Sequence, residues 1–106
     1  MTKEEVKKRE QVAIKSIKAA YGSEEDEYGA TLFVSHHLEE IESEYWLRHL
    51  GKSKPEPKDV LGILQLESHW DDDSVFDFTL PEDATNYVVS VRFGEEGEVE
   101  EISMES

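Results

Sequence analysis

A group of histidine and glutamate residues near the middle of the chain has the composition of a metal site. The group comprises His36, His37, Glu39 and Glu40. On a helix, His36 and Glu40 would lie four residues apart on one face and could share an ion. Zinc sites need three or four ligands, so His69 or a nearby aspartate would have to complete the set. The alternative is structural: His37 is a hydrogen-bonded core residue, and His36 caps the helix or pairs with Glu40 at the surface.

An acidic run, Asp71–Asp73, is followed by Ser74 and Asp77, a pattern that suggests a calcium loop. An EF-hand loop places oxygen ligands at alternate positions, with an invariant glycine in the middle and a glutamate at the end. The glycine is missing here, and Asp77 alternates with the apolar residues of a predicted strand. We therefore interpret Asp71, Asp72 and Asp73 as a solvated turn that contributes to an acidic binding surface.

Catalytic motifs are absent from the sequence. It contains no Gly-x-Ser-x-Gly element, no phosphate-binding glycine loop and no dinucleotide-binding fingerprint. His69 beside Trp70 and Asp71 could support acid–base chemistry, but any acidic chain offers such neighbours. We therefore expect a non-catalytic protein without a cofactor. Trp46 and Trp70 are candidate contact residues, because tryptophan is enriched at interfaces; the alternative is that both are buried in the core.

The charge of the chain is large, negative and uneven. The 106 residues carry a net charge of −15. Residues 1–22 hold six Lys or Arg and three Glu, a net +3, whereas residues 23–106 hold five Lys or Arg and 23 acids, a net −18. Such a surface repels phosphate backbones and anionic lipids. We therefore expect no nucleic-acid or membrane partner and consider a basic protein surface, a cation or the basic first helix of another copy. The simpler interpretation is that the acids maintain solubility.

The cellular location is predicted from what the chain lacks. It has no cysteine, which removes disulfides, thiolate zinc sites and cysteine nucleophiles together. Its first five residues lack the apolar segment of a signal peptide. No apolar run approaches the roughly 20 residues that a membrane-spanning helix needs. These features favour a cytoplasmic protein.

Helical patterns fill the first part of the chain. Thr2 with Glu5 forms a capping-box pattern, and apolar residues then recur at helical spacing up to Gly22, which predicts a helix over residues 3–21. A second helix is predicted over 24–42, with a short strand at Thr31–Val34 as the alternative. Further short helices are predicted from the patterns around Ser43–Gly51, with Trp46, Leu47 and Leu50 inward, and over Lys58–Ile63 after Pro57.

Strand patterns fill the second part. Residues 64–70 are predicted as a strand with Leu64, Leu66, Ser68 and Trp70 on one face, and residues 75–80 as a second with Phe76, Phe78 and Leu80 inward. Tyr87, Val89, Val91 and Phe93 alternate with polar or smaller residues, and Gly94–Gly97 then suits a hairpin loop. The return strand breaks strict alternation, which predicts a bulge near Glu100–Glu101.

Helices followed by strands predict an α+β fold. Two or three N-terminal helices would pack on one face of an antiparallel meander of three or four strands. The chain length suits a single domain over 1–106, with a helical part over about 3–63 and a sheet part over about 64–104.

Three blocks of the sequence carry a resemblance to a known family. The segment 76–93 contains Thr-Asn-Tyr before an alternating run, and 97–106 ends in Met-Glu-Ser. Together they resemble the C-terminal signature of an uncharacterised bacterial family, the domain of unknown function two-thousand-and-four. The block His36–Ile41 is similar to another recurrent block of that family. The resemblance implies a small bacterial cytoplasmic protein, and it brings no activity, cofactor or catalytic residue.

Three hypotheses about function follow. The first is a non-catalytic interaction domain whose acidic face, from Asp71–Asp73 and Glu95–Glu101, binds a basic partner; one version is an immunity-type protein that neutralises a toxin. The second is a metal-binding protein or hydrolase that uses His36 and Glu40 with His69. The third is a self-associating domain in which the basic first helix of one copy lies on the acidic body of another.

Overall fold

The computed structural model describes residues 2–105 and has the predicted α+β architecture. The helices are α1 (Lys3–Ala20), α2 (Ala30–Glu40), α3 (Ser43–Leu50) and α4 (Pro57–Gly62). The strands are β1 (Gln65–Trp70), β2 (Val75–Thr79), β3 (Val88–Phe93) and β4 (Val99–Glu105). Short 3₁₀ turns occur at Glu24–Asp26 and Pro81–Asp83. The strands pair antiparallel in the order β1-β2-β3-β4, which confirms the predicted meander.

The first helix begins and ends as its sequence predicts. The Thr2 hydroxyl accepts a hydrogen bond from the Glu5 N–H at 3.2 Å and so satisfies one of the free donors of the first turn. Ala13 and Ile17 are fully buried on the face that meets the core. Gly22, just beyond the helix, has a φ of 86°, a left-handed conformation that glycine adopts without strain.

The predicted helix over 24–42 is confirmed only for Ala30–Glu40, and its predicted beginning at residue 24 is wrong, because Glu24–Asp26 forms a separate 3₁₀ turn. The alternative of a strand at Thr31–Val34 is wrong, since these residues lie in α2. The Asp26 carboxylate accepts hydrogen bonds from the Ala30 N–H at 3.2 Å and the Thr31 N–H at 2.7 Å, and so caps α2. A side chain at Gly29 would overlap this carboxylate and lie 2.9 Å from the Ile102 carbonyl oxygen. The close approach of β4 therefore requires glycine here. Gly29 has φ of −108° and ψ of −123°, outside the helical region, so one helix does not run through it.

The third helix carries Trp46 and Tyr45 into the core, where they are 2% and 8% exposed. Leu50 is half-buried, but Leu47 is 50% exposed, so the prediction that Leu47 points inward is wrong. Its position lies about 100° around the helix from Trp46, outside the buried arc. Gly51 ends the helix with a φ of 70°, as predicted.

The sheet turns one face towards the helices, and we call this the inner face. Phe76, Phe78, Val89, Val91 and Phe93 lie on it and are almost completely buried. They form one core with the helical residues Ala13, Ile17, Phe33, Val34 and Trp46. The predicted alternation of Val89, Val91 and Phe93 is therefore confirmed.

Two register shifts modify the edge strands. In β1 the pairing shifts between Leu66 and Ser68, which leaves Glu67 as an extra residue. Leu66 therefore lies on the inner face, whereas Ser68 and Trp70 lie on the opposite, outer face; the prediction that these residues share one face is wrong. In β4 the pairing shifts between the partners of Arg92 and Phe93, and the extra residue is Glu100. This is the bulge that the sequence predicts.

Candidate functional site

His37, one of the two central histidines, is buried and has a hydrogen-bond partner at each ring nitrogen. His37 is 1% exposed, and its Nδ1 lies 2.6 Å from the Phe33 carbonyl oxygen, which can only accept, so Nδ1 carries the proton. In the neutral ring Nε2 then accepts a hydrogen bond from the Thr85 hydroxyl at 2.8 Å. Burial lowers the pKa of His37 below its usual value. The structural alternative for His37, a hydrogen-bonded core residue, is confirmed.

The remaining metal candidates lie apart. The ring of His36 packs edge-on against Tyr87, with centroids 5.1 Å apart, and among residues 2–105 it forms no ion pair with Glu40. His69 instead hydrogen-bonds the Asp73 carboxylate and stacks on Phe76 at the beginning of β2. Tyr87 lies at the other end of that strand, where its carbonyl accepts from Thr79.

No three histidine, aspartate or glutamate side chains between Thr2 and Glu105 converge as metal ligands do. The structure therefore does not bring His36, Glu40 and His69 together. His36 packs against Tyr87, His69 hydrogen-bonds Asp73, and Glu40 is exposed at the surface.

The two tryptophans differ in accessibility. Trp46 is buried and cannot touch a partner in the folded protein. Trp70 is 51% exposed and lies on the outer face of the sheet. Its indole N–H donates to the Asp77 carboxylate at 3.0 Å, and the Ser90 hydroxyl donates to the other oxygen of that carboxylate at 2.7 Å. Trp70 is thus an exposed aromatic side chain held in one orientation.

The acidic turn is partly used within the chain. Asp71, Asp72 and Asp73 all have φ between 55° and 60°, a left-handed conformation that is uncommon outside glycine. The Arg9 guanidinium donates to the Asp73 carbonyl oxygen at 2.7 Å and lies 5.3 Å from the centre of the Phe93 ring. These contacts fasten α1 to the turn. Asp71 and Asp72 remain exposed.

A groove of about 560 Å³ runs beside the edge strand β4, and we call it the β4 groove. One wall is formed by small residues of α1 and its end, and the other by β4. Its lining residues are Ser16, Ala19, Ala20, Ser23, Glu25, Asp26, Val99, Glu100, Glu101 and Ile102. This lining has four acids and no Lys or Arg. The Asp26 carboxylate is occupied by the cap of α2, whereas Glu25, Glu100 and Glu101 are exposed.

A smaller depression of about 200 Å³, the Trp70 pocket, lies on the outer face of the sheet. It is lined by Trp70, Ser90, Arg92, Glu101, Ser103 and Glu105. Glu101 lines both depressions, so the β4 groove and the Trp70 pocket meet at the edge of the sheet. Sequence reasoning identified Trp70 and the acids near Glu101 but missed the α1 wall, because no local signal links α1 to β4.

Comparisons with protein-family models, with curated proteins and with solved structures find no match for this chain. None of the helices between residues 2 and 105 has the length and apolarity needed to cross a membrane. What the protein binds is therefore inferred from the chemistry of its surface.

Proposed function

We propose that this protein is a non-catalytic acidic interaction domain that binds a basic protein surface through β4 and the two depressions beside it. The observation that carries the proposal is the β4 groove, whose lining combines small or apolar side chains with exposed carboxylates and contains no Lys or Arg. Neutralisation of a basic toxin by an immunity-type protein is one specific version. Membership of the family of unknown function two-thousand-and-four stays a prediction.

The electrostatics support a basic partner. A net charge of −15 on 106 residues accelerates the approach of a positively charged surface and disfavours acidic competitors. Acids line both depressions: Glu25, Asp26, Glu100 and Glu101 line the β4 groove, and Glu101 and Glu105 line the Trp70 pocket. Arg92, directly across from Glu101, is the one cation among the residues that line either depression.

The exposed Trp70 supports a contact site on the outer face. Interfaces gain most of their binding free energy from a few residues, among which tryptophan is enriched. The hydrogen bond to Asp77 already fixes the indole, so binding would cost little side-chain entropy. The Trp70 pocket combines this aromatic side chain with the carboxylates of Glu101 and Glu105, which suits the stem and charge of a partner's Lys or Arg.

Capture from an extract of the source cells tests the proposal. The bait would be the wild-type protein, the double variant Glu100→Gln/Glu101→Gln, or the control Glu39→Gln/Glu40→Gln, which removes equal charge from the exposed end of α2. We expect a basic protein that binds wild type and control, is lost with the β4 variant, and elutes as salt increases. A partner retained equally by all three baits, or indifferent to salt, would overturn the proposal.

A further inference from the structure

Arg92 is the one cation in the lining of the Trp70 pocket, and a partner that offers only positive charge would leave it unused. Its side chain is exposed on the outer face of the sheet. Glu101 lies directly across from it in β4, yet Arg92 forms no ion pair with any of residues 2–105. Its guanidinium therefore remains available to an anionic group of a ligand.

Opposite charges occupy the two ends of this pocket. Glu101 lies beside Arg92, which leaves Glu105 as the carboxylate at the far end. Glu105 pairs with Val88, four residues along β3 from Arg92, so at about 3.3 Å per residue the two ends lie roughly 13 Å apart along the strands. Two charge-assisted hydrogen bonds of about 2.8 Å each leave roughly 7 Å between the charged groups of a ligand. The extended side chain of one basic residue spans such a gap.

The middle of the pocket suits an aliphatic stem. The small residues Ser90 and Ser103, paired across β3 and β4, lie between the two charged ends. The Trp70 indole N–H donates to the Asp77 carboxylate, which also accepts from the Ser90 hydroxyl. Trp70 is thus held beside Ser90 while it remains 51% exposed. A methylene chain that packs on this indole gains apolar contact without the entropy cost of ordering the ring.

The Trp70 pocket differs from the β4 groove in size and in charge. It holds about 200 Å³, compared with about 560 Å³ for the groove, and so admits a single side chain rather than a helix or a strand. Its lining has two carboxylates and one guanidinium, whereas the groove has four acids and no Lys or Arg. The groove therefore suits the basic surface of a partner, and the pocket suits a residue that carries both charges.

We infer that the Trp70 pocket binds the C-terminal residue of the partner, and that this residue is basic. Its terminal carboxylate pairs with Arg92, its aliphatic stem lies along Trp70, and its ammonium or guanidinium group pairs with Glu105. This inference rests on the proposed function and specifies which part of the basic partner enters the pocket. A lysine or arginine within a chain lacks the free carboxylate and would leave Arg92 without a partner.

A matched set of acetylated tripeptides tests the inference. The set comprises acetyl-Ala-Ala-Lys with a free carboxylate, the same peptide as its C-terminal amide, and acetyl-Ala-Ala-norleucine with a free carboxylate, which keeps the stem but lacks the ammonium group. Each titration is followed by the indole N–H resonance of Trp70, with that of the buried Trp46 as the reference. We expect the lysine acid to bind with a dissociation constant below about 1 mM. The other two peptides should bind at least about tenfold more weakly, because each lacks one charge-assisted hydrogen bond.

Single variants of the protein assign the two ends of the ligand. In Arg92→Gln the lysine acid and its amide should bind within about twofold of each other, and in Glu105→Gln the lysine and norleucine acids should do so. Glu96→Gln, in the exposed hairpin turn outside the pocket, is the control and should bind the peptides as wild type does. All three residues are exposed, so these substitutions leave the fold intact.

The outcomes separate failure of this inference from failure of the proposed function. If the lysine amide binds as tightly as the acid, and both lose affinity in Glu105→Gln, the pocket takes a basic residue from within a chain; the inference then fails while the acidic surface stands. If no peptide shifts the Trp70 resonance saturably up to about 1 mM, the inference also fails, and capture with the Glu100→Gln/Glu101→Gln variant decides the proposed function by itself. Failure of both experiments would overturn both.

Discussion

The layer between the helices and the sheet differs from the surface around β4 in how its polar groups are used. In the layer, His37 is buried with both ring nitrogens satisfied by Phe33 and Thr85. Around β4, Glu100 and Glu101 are exposed and form no ion pair among residues 2–105. Among residues 2–105 the indole N–H of Trp46 is the buried side-chain group of that layer without a hydrogen-bond partner. Buried, hydrogen-bonded groups such as His37 hold the fold together, whereas exposed carboxylates at a groove remain available to a partner. The difference predicts that stability and binding depend on separate residues.

The two tryptophans provide the largest expected contrast. We expect Trp46→Ala to lower the free energy of unfolding by about 3–5 kcal/mol, because it leaves a large cavity in the core. Trp70→Ala, at a half-exposed site, should cost about 1 kcal/mol or less. Urea unfolding of both variants measures the contrast. Similar losses from the two substitutions would show that the outer face is part of the stabilising core.

Loss of the hydrogen bond between Thr85 and His37 should have the next largest effect on the free energy of unfolding. Thr85→Val keeps the shape of the side chain but leaves Nε2 of the buried His37 without a donor. An unsatisfied buried acceptor costs about 1–3 kcal/mol, so the urea midpoint should fall. Ser103→Ala, on the outer face, is the control and should change stability by less than about 0.5 kcal/mol. An unchanged midpoint for Thr85→Val would contradict the role given to this hydrogen bond.

Acidic pH should lower the stability of the protein through the same residue, His37. Because the pKa of His37 is lowered by burial, the unfolded chain binds a proton more readily than the folded one. The contribution of neutral His37 is therefore complete above its unfolded pKa of 6.5 and is lost as the pH falls from there through its folded pKa. Protonation would also turn Nε2 into a donor, so the Thr85 hydroxyl could no longer donate to it and would have to reorient and accept a second hydrogen bond beside that from the Tyr87 N–H. His36, which faces His37, adds repulsion once it is charged.

Thermal unfolding between pH 5 and pH 8 measures this dependence of stability on pH. Carboxylates also contribute to it at the acidic end of the range. In the His37→Gln variant, stability should change less with pH near and below pH 6.5 than it does in wild type. If wild type and His37→Gln keep the same slope, His37 is not the group responsible.

The smallest effect on stability is expected from Glu100→Gln/Glu101→Gln. Both side chains are exposed, and surface substitutions usually change stability within about 0.5 kcal/mol. Removal of repulsion among the β4 carboxylates is offset by loss of the attraction between Glu101 and Arg92, its cross-strand partner, so the net change should be small. Unfolding in urea checks this value, and a loss above about 1 kcal/mol would mean that these acids stabilise the fold.

The sequence predicted the regions in which local chemistry decides the structure. Alternation of apolar residues placed Val89, Val91 and Phe93 on the inner face, and the glycine-bracketed loop placed the hairpin. The bulge near Glu100 followed from the break in that alternation. In each case the pattern lies within a few residues and reflects burial on one side of a strand.

Long-range contacts determined what the sequence could not predict. The delayed start of α2 depends on the approach of the Ile102 carbonyl to Gly29, and the outward orientation of Trp70 depends on the extra residue Glu67 in β1. The β4 groove arises from the packing of α1 beside β4. Neither segment alone carries a pattern for that contact, so the groove becomes visible only in three dimensions.

Amide chemical-shift mapping during titration with acetyl-Lys-Val-Lys-Val-Lys-Val-amide tests the central claim most directly, namely that β4 is where a basic partner binds. We predict that the largest shifts fall on Val99–Ser103 and on the indole N–H of Trp70. Shifts confined to Asp71–Asp73 or to the acidic end of α2, with β4 unchanged, would contradict the account.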